Sequence, residues 1–228
     1  KNTNTSVTPT GAPAPSPADA ESRLYTLQEL IGEEELSPEQ KENLDVVQRR
    51  TAYLNQLIAQ LYEYSRLENR ELPLTQERLD ITHLFKEHIL ASYGEFEKAG
   101  LKLTLRLTDE PLWISADENG LLRIFHNLTS NCLKYGQKEA SISLECTAGR
   151  AVLTFRNHAE GFTEKDAEQI FHRFYRKDAS RNAQGSGLGM SVAKLLAEQM
   201  GGRLDAQLEE GMLAIRLLLP CADKSADT

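Results

Sequence analysis

The chain has 228 residues, a formal net charge of −8 and a hydrophobic content of 40%. That length accommodates one domain of ordinary size plus something smaller. An acidic chain repels nucleic acid and anionic lipid, so no nucleic-acid partner is expected. Cys132, Cys146 and Cys221 are odd in number and widely spaced. Neither a disulfide framework nor a zinc site is expected from them, and a reducing cytosol fits. No apolar run approaches the ~20 residues that span a bilayer, and no signal peptide opens the chain. As given, the sequence is expected to be cytoplasmic.

Residues 1–19 read KNTNTSVTPTGAPAPSPAD, with one Val and no larger apolar residue. Such a stretch buries too little surface to offset its ordering entropy, and a disordered tail or linker is expected. Two helical patterns follow. The first spans about 20–31 and stops at Gly32. The second starts at Ser37-Pro38, which have the features of an N-cap and a first helical position, and runs to about 69, before Pro73. Along it Leu44, Val47, Thr51, Leu54, Ile58 and Leu61 recur at alternating steps of three and four. That is a heptad seam, which requires a partner helix. A two-helix hairpin with one apolar stripe is too small to be stable alone. Dimerisation into a four-helix bundle is the expected outcome, and packing on its own chain is the alternative.

After Pro73 the pattern changes. A helix is predicted over 80–99, closed by Gly100, then strands near 101–107 and 112–115. A long helix over 117–135 stops at Gly136. Strands near 140–147 and 151–157 flank Gly149-Arg150, and a short helix starts at Thr163, with Asp166 as its capping-box partner. A Gly-rich stretch opens a helix over about 187–200, and strands near 203–209 and 212–219 close the fold. The mixture predicts an α+β protein: the helical hairpin, then a two-layer α/β sandwich with a mixed, mostly antiparallel sheet. The last residues, 223–228, are expected to be a flexible terminus.

Three stretches have chemical character. In HNLTSNCLKYG, Asn127, Asn131 and Lys134 are spaced by four and three and share one helix face. Amide oxygens are hard ligands for Mg²⁺, and a lysine gives a point charge for phosphate. A solvated helix face is an equally good reading of that stripe alone. In GSGLG, Gly185, Gly187 and Gly189 precede an apolar helix, an arrangement that lets backbone N–H groups approach an anion. It matches neither the Walker A loop nor the dinucleotide fingerprint, and a structural hinge is the other reading. Between them, IFHRFYRKDASR crowds Arg173, Arg176, Lys177 and Arg181 into an acidic chain, with Phe171, Phe174 and Tyr175 as anchors. Phosphate contact is one reading and a charged surface loop the other.

Taken together and in this order, the three stretches resemble the ATPase domain of bacterial sensor histidine kinases, part of the wider fold shared with gyrase, Hsp90 and MutL. HNLTSNCLKYG resembles the N-box, IFHRFYR the F-box and GSGLGM the G2-box. SADENGLLRIF resembles the segment leading into the N-box, and SPEQKENLDVVQRRTAYLNQLIAQLYEYSRLEN the second helix of the dimerisation hairpin. The resemblance covers about residues 22–220.

The resemblance implies that the chain binds ATP and Mg²⁺. It implies that Asn131 and Asn127 hold the metal, Lys134 contacts phosphate and Tyr135 packs near the adenine. Gly185, Gly187, Leu188 and Gly189 shape the phosphate-side lid, Arg173 and Arg176 steady the triphosphate, and Phe171 anchors the segment. It also implies γ-phosphoryl transfer to a histidine and onward to an aspartate of a response regulator. The implied domains are a hairpin over 20–72 and an ATP-binding domain over 73–222. The implied full-length protein is attached to a membrane through an upstream region.

The sequence departs from that pattern in two places. Where the family has Asp-x-Gly-x-Gly, this chain has Asn157-His158-Ala159-Glu160-Gly161. Asn157 can still accept a hydrogen bond from an adenine amino group, without charge, and Gly161 remains. The family's phosphoacceptor histidine, on the first hairpin helix, has no counterpart: the first histidine is His83. Self-phosphorylation is therefore not expected from the chain as given, and the upstream region reads as cut short or altered. The alternative function is a non-catalytic, dimerising regulatory module.

Overall fold

Ser37 opens the first described helix by a reciprocal cap. Its hydroxyl accepts from the Gln40 N–H at 3.3 Å, and the Gln40 side chain accepts from the Ser37 N–H at 2.8 Å. This pairing satisfies two donors left without partners at a helix start. In the computed structural model, residues 37–177 and 186–222 are described. The helix expected over 20–31 and both chain termini lie outside them.

Helix α1, Pro38–Glu68, runs for 31 residues. Of its predicted seam, Leu44 and Thr51 are half-buried, whereas Val47, Leu54, Ile58 and Leu61 are between 44% and 55% exposed. The chain divides into two compact units, Lys1–Leu61 and Tyr62–Thr228. The sequence had placed a boundary near 73. Tyr64 and Leu67, only 7% and 2% exposed, bring the last two turns of α1 into the core of the second unit.

Apart from one short strand, the second unit follows the predicted order of elements. Strand β1 (Glu77–Asp80) leads into α2 (Ile81–Lys98), then β2 (Lys102–Leu107) and β3 (Trp113–Ala116). Next come α3 (Glu118–Tyr135), β4 (Gln137–Thr147), β5 (Arg150–His158) and α4 (Glu164–Gln169). Helix α5 (Gly189–Gln199), β6 (Arg203–Glu209) and β7 (Met212–Pro220) complete it. Two aspartates start the main helices. Asp80 accepts from the Thr82 and His83 N–H groups, and Asp117 from the Gly120 N–H at 2.7 Å. The predicted Thr163–Asp166 capping box is present at α4.

The main sheet has the order β2-β4-β5-β7-β6. Its β2–β4 pair is parallel and the other three pairs are antiparallel, which is the mixed, mostly antiparallel sheet the sequence predicted. Alternation along the strands sends Ile142, Leu144, Leu153, Phe155, Ile215 and Leu217 inward. The helices cover that face. Phe85 of α2 meets Phe125 of α3 edge-on at 5.0 Å and Phe155 of β5 at 6.0 Å. This aromatic cluster fixes two helices to the sheet.

The opposite face is polar: Arg216 bonds Asp205 at 2.8 Å, and Arg156 lies 3.5 Å from Glu209. One element was not anticipated. Strand β1 pairs with β3 in a separate two-stranded sheet, with Arg78 stacked over the Trp113 ring at 4.7 Å. Among the described residues no helix is long and apolar enough to cross a membrane.

Candidate functional site

Helix α3 is amphipathic for a local reason. Leu121, Ile124, Phe125, Leu128 and Cys132 recur at helical spacing and are at most 1% exposed. Burying that stripe turns Asn127, Asn131 and Lys134 to another side. Asn131 is buried at 8%, Asn127 is half-buried and Lys134 is exposed. The middle residue of the face, Asn131, is thus the most buried, and Lys134 at the end of the helix is open to solvent. Half-buried Tyr135 ends the helix, and Gly136 caps it by an N–H bond to the Cys132 carbonyl at 2.8 Å.

The glycine stretch meets this helix directly. A Cβ at Gly189 would stand 2.8 Å from the Asn127 side-chain oxygen, so only glycine lets α5 begin there without displacing that amide. Leu188, 1% exposed, is the N-cap residue of α5, and no side chain caps it. The first N–H groups of α5 thus open beside the Asn127 carboxamide, where an anion would be favoured.

Gly187 makes a second close approach. Its φ is +72°, and an added Cβ would lie 2.9 Å from the backbone of Phe174. The Phe174 N–H donates to the Gly187 carbonyl at 3.1 Å. Phe174 itself has φ +60°, uncommon for a side-chain-bearing residue. The basic segment and the glycine stretch are therefore joined backbone to backbone. Gly185 and Arg181 lie outside the described residues.

Side chains hold the basic segment from below. Tyr175 donates its hydroxyl to Asp166, which also accepts from the Thr163 N–H and hydroxyl at 2.7 and 2.8 Å. These hydrogen bonds, first from Tyr175 and then from Thr163, hold the Asp166 carboxyl below the usual carboxylate range. Lys177 sits 3.9 Å from the same carboxylate, with its ammonium 5.2 Å from the Phe162 ring centroid. An added Cβ at Gly161 (φ +68°) would lie 3.3 Å from the Lys177 amine, which brings the loop after β5 against this segment. Phe171 is half-buried, with the Lys194 ammonium 5.6 Å from its ring centroid.

Two predicted residues deserve their own account. Asn157, 2% exposed, donates its amide nitrogen to the His158 carbonyl at 3.0 Å, which leaves its side-chain oxygen as the acceptor end. It lies beside Gly136: a Cβ there would be 3.4 Å from the Asn157 Cβ. The end of α3 and the end of β5 thus adjoin. Arg173, a triphosphate contact by the family resemblance, here faces the last turns of α1. It pairs with Glu68 at 3.4 Å, and its guanidinium lies 5.1 Å from the Tyr64 ring centroid, both on the last turns of α1. Arg176 is half-buried within the basic segment.

Sequence reading missed two features here. His88 on α2 bonds Thr129, between the two asparagines of α3, at 3.0 Å, and burial lowers its pKa. Arg123 of α3 is ion-paired with Glu63 of α1. Neither pairing has a local signal, since the partners stand 41 and 60 residues apart.

Residues 116–223 match the histidine kinase-, DNA gyrase B- and HSP90-like ATPase family, and the chain carries a domain of that family. Over 175 residues, 74% of this chain, it is 31% identical to the sensor histidine kinase YcbM of Bacillus subtilis. It is 28% identical, also over 175 residues, to the sensor protein SrrB of Staphylococcus aureus. The aligned part spans 56% and 30% of those two proteins. The crystal structure of full-length ShkA in complex with AMPPNP superimposes with a TM-score of 0.70 at 19% identity, covering 92% of this chain and 47% of ShkA. At that identity the likeness establishes the fold. The segment shared with YcbM and SrrB includes this ATPase-like region, and the chain spans about half or less of those relatives.

Proposed function

We propose that the second unit binds ATP with Mg²⁺ and serves as the phosphoryl-donor half of a two-component histidine kinase. The observation that carries this reading is the meeting of Asn127 with Gly189. It sets the half-buried Asn127 carboxamide beside the uncapped start of a helix, with buried Asn131 one turn further along the same face of α3. Hard amide oxygens and backbone N–H groups suit a divalent cation that arrives already bound to phosphates. Among the described residues no group of three or more His, Cys, Asp or Glu side chains gathers as a metal cage. When bound, Mg²⁺ supplies charge neutralisation on the phosphates.

The chain's own residues do the rest. Asn131 and Asn127 orient the metal-bearing phosphates, and Lys134 adds a mobile positive charge from the solvent side. Gly187, Leu188 and Gly189, with Gly185, form the phosphate-side lid. Asn157 accepts from the adenine amino group, Gly161 shapes the turn below it and Tyr135 flanks the base. Phe171 anchors the lid. Arg176 remains a triphosphate contact in this reading, and Arg173 reaches the phosphates only by leaving Glu68. Asn127 is an amide and cannot activate water as a carboxylate can, so hydrolysis is slow and the phosphoryl group is kept for transfer.

The rest of the proposal concerns the whole protein. Its acceptor is a histidine, followed by an aspartate of a response regulator. The exposed seam of α1, with Val47, Leu54 and Ile58 each more than half exposed, pairs with a second copy. The hairpin assigned to 20–72 dimerises and shares its last turns, with Tyr64 and Leu67, with the nucleotide domain assigned to 73–222; an upstream region carries any membrane attachment. The alternative is a dimerising regulatory module without kinase activity. Displacement of a fluorescent ATP analogue tests the central point. ATP with Mg²⁺ is expected to displace it at micromolar to sub-millimolar concentration, with negligible phosphate release over the same hour. No displacement at millimolar ATP favours the regulatory module, and rapid hydrolysis without an acceptor contradicts the kinase reading.

A further inference from the structure

Cys146 and Cys221 stand 75 residues apart in the chain, with no local signal to pair them. The fold brings them together. Cys146 lies near the end of β4, opposite Ala151 of β5, and Ala151 lies opposite Leu219 of β7. The β4–β5 turn at Ala148-Gly149 (φ 50° and 72°) then carries the chain past the residue that follows β7. The Cys221 N–H donates to the Gly149 carbonyl at 2.9 Å, and the two sulfurs stand 3.7 Å apart. Both thiols are free; Cys146 is exposed and Cys221 half-buried. Cys132 differs: it is buried in the core of α3, and burial pushes its thiol up to about 12.

We infer that Cys146 and Cys221 form a reversible oxidation site that closes to an intramolecular disulfide when the protein meets a low-molecular-weight disulfide. The exposed Cys146 thiolate attacks one sulfur of the small disulfide, forms a mixed disulfide and releases one small thiol. The Cys221 thiolate then attacks the Cys146 sulfur, forms the protein disulfide and releases the second small thiol. Two protein thiols are oxidised and one small disulfide is reduced to two thiols, so atoms and electrons balance. Burial and the neighbouring Cys146 thiol raise the Cys221 pKa, so the second step quickens as pH rises. An S–S bond is about 2.05 Å long, so the sulfurs must approach by side-chain rotation from contact distance.

The location gives the bond a consequence. Cys221 also makes a β-bridge to Ile114, and the Ala222 N–H donates to the Trp113 carbonyl at 2.7 Å. Residue 221 is thus where the end of β7, the β4–β5 turn and β3 meet, and β3 leads directly to Asp117, the cap of α3. Oxidation clips the end of the chain to this junction and closes a long loop in the unfolded state, which raises stability.

The experiment treats the native full chain with oxidised glutathione at mildly alkaline pH and maps its peptides under non-reducing conditions. The expected product is a single Cys146–Cys221 cross-link, with denatured thiols falling from three to one. Dithiothreitol should restore all three, and the melting temperature of the oxidised form should rise by roughly 5 °C. Cys221→Ser should stop at a mixed disulfide on Cys146, without the rise in melting temperature. A persistent mixed disulfide on the parent, cross-links to Cys132, or three intact thiols after treatment would each overturn the inference.

Discussion

Helix α3 and the segment over 171–189 form two sides of the same proposed pocket by different physical means. The helix is held by side chains. A continuous apolar stripe is buried against α2 and the sheet, and the functional amides follow from its periodicity. The other side is held by backbone proximity and a small polar cluster: Gly187 against Phe174, Gly189 against Asn127, and Asp166 under Tyr175. The first side tolerates little loss of volume. The second tolerates little gain of it. A wall of buried side chains and a lid held by close backbone approach suit a site that must fix metal-bearing phosphates yet admit and release a nucleotide.

The sharpest way to separate the two sides is to damage each in its own manner. Phe125→Ala removes a fully buried ring that packs on Phe85 and should cost about 3–5 kcal/mol in denaturant unfolding. Gly187→Ala should cost far less, about 1–2 kcal/mol from its positive φ and the 2.9 Å approach to Phe174. It should nevertheless weaken nucleotide binding at least about tenfold by deforming the lid. Equal losses of stability in the two variants would erase the distinction. Tyr175→Phe, which takes one hydrogen bond from Asp166, should lower stability by about 1 kcal/mol with nucleotide affinity moving in the same direction.

The pH dependence distinguishes the sides further. Burial lowers the pKa of His88, which supports α3 through Thr129. The unfolded chain therefore takes up a proton first. Stability should fall as pH drops through the ordinary imidazole value near 6.5, and His88→Gln should flatten that slope. Asp166, under the lid, has the opposite character. Its lowered pKa contributes stability at and above the ordinary carboxylate range, and that contribution is lost only as pH falls through the lowered value. Mild acid should thus loosen the helix side before the lid side, as hydrogen exchange at pH 5.5 would reveal.

The smallest effect concerns adenine. Asn157→Asp restores a charged acceptor but places a carboxylate where an amide N–H now donates to the His158 carbonyl. The two consequences oppose each other, so nucleotide affinity should change by no more than about fivefold while stability falls by about 1 kcal/mol. A much larger gain in affinity would mean that the uncharged acceptor is the main weakness of the pocket.

What was legible in the sequence divides along similar lines. The Asn127–Asn131–Lys134 face of α3 and the Thr163–Asp166 box are local patterns, and each was readable because its partners lie within a turn or two. Strand β1, with the sequence Glu77-Arg78-Leu79-Asp80, carries no alternation of its own and exists through its pairing with β3. The placement of Arg173 on Glu68 joins residues 105 apart, and a cluster of basic residues beside glycines gave no hint of it. The approach of Cys146 to Cys221 has the same character, since it depends on three strands and a turn. The unit boundary at Leu61/Tyr62 depends on the burial of Tyr64 and Leu67, which periodicity along α1 does not reveal.

Calorimetric titration with a non-hydrolysable ATP analogue, with and without Mg²⁺, on the parent and on Asn131→Ala tests the central claim most directly. The account predicts binding by the parent at micromolar to sub-millimolar affinity, weakened when Mg²⁺ is withheld and lost in the variant, whose fold remains intact by circular dichroism. Unchanged affinity in a folded Asn131→Ala variant would contradict the assignment of α3 as the metal-bearing wall of the pocket.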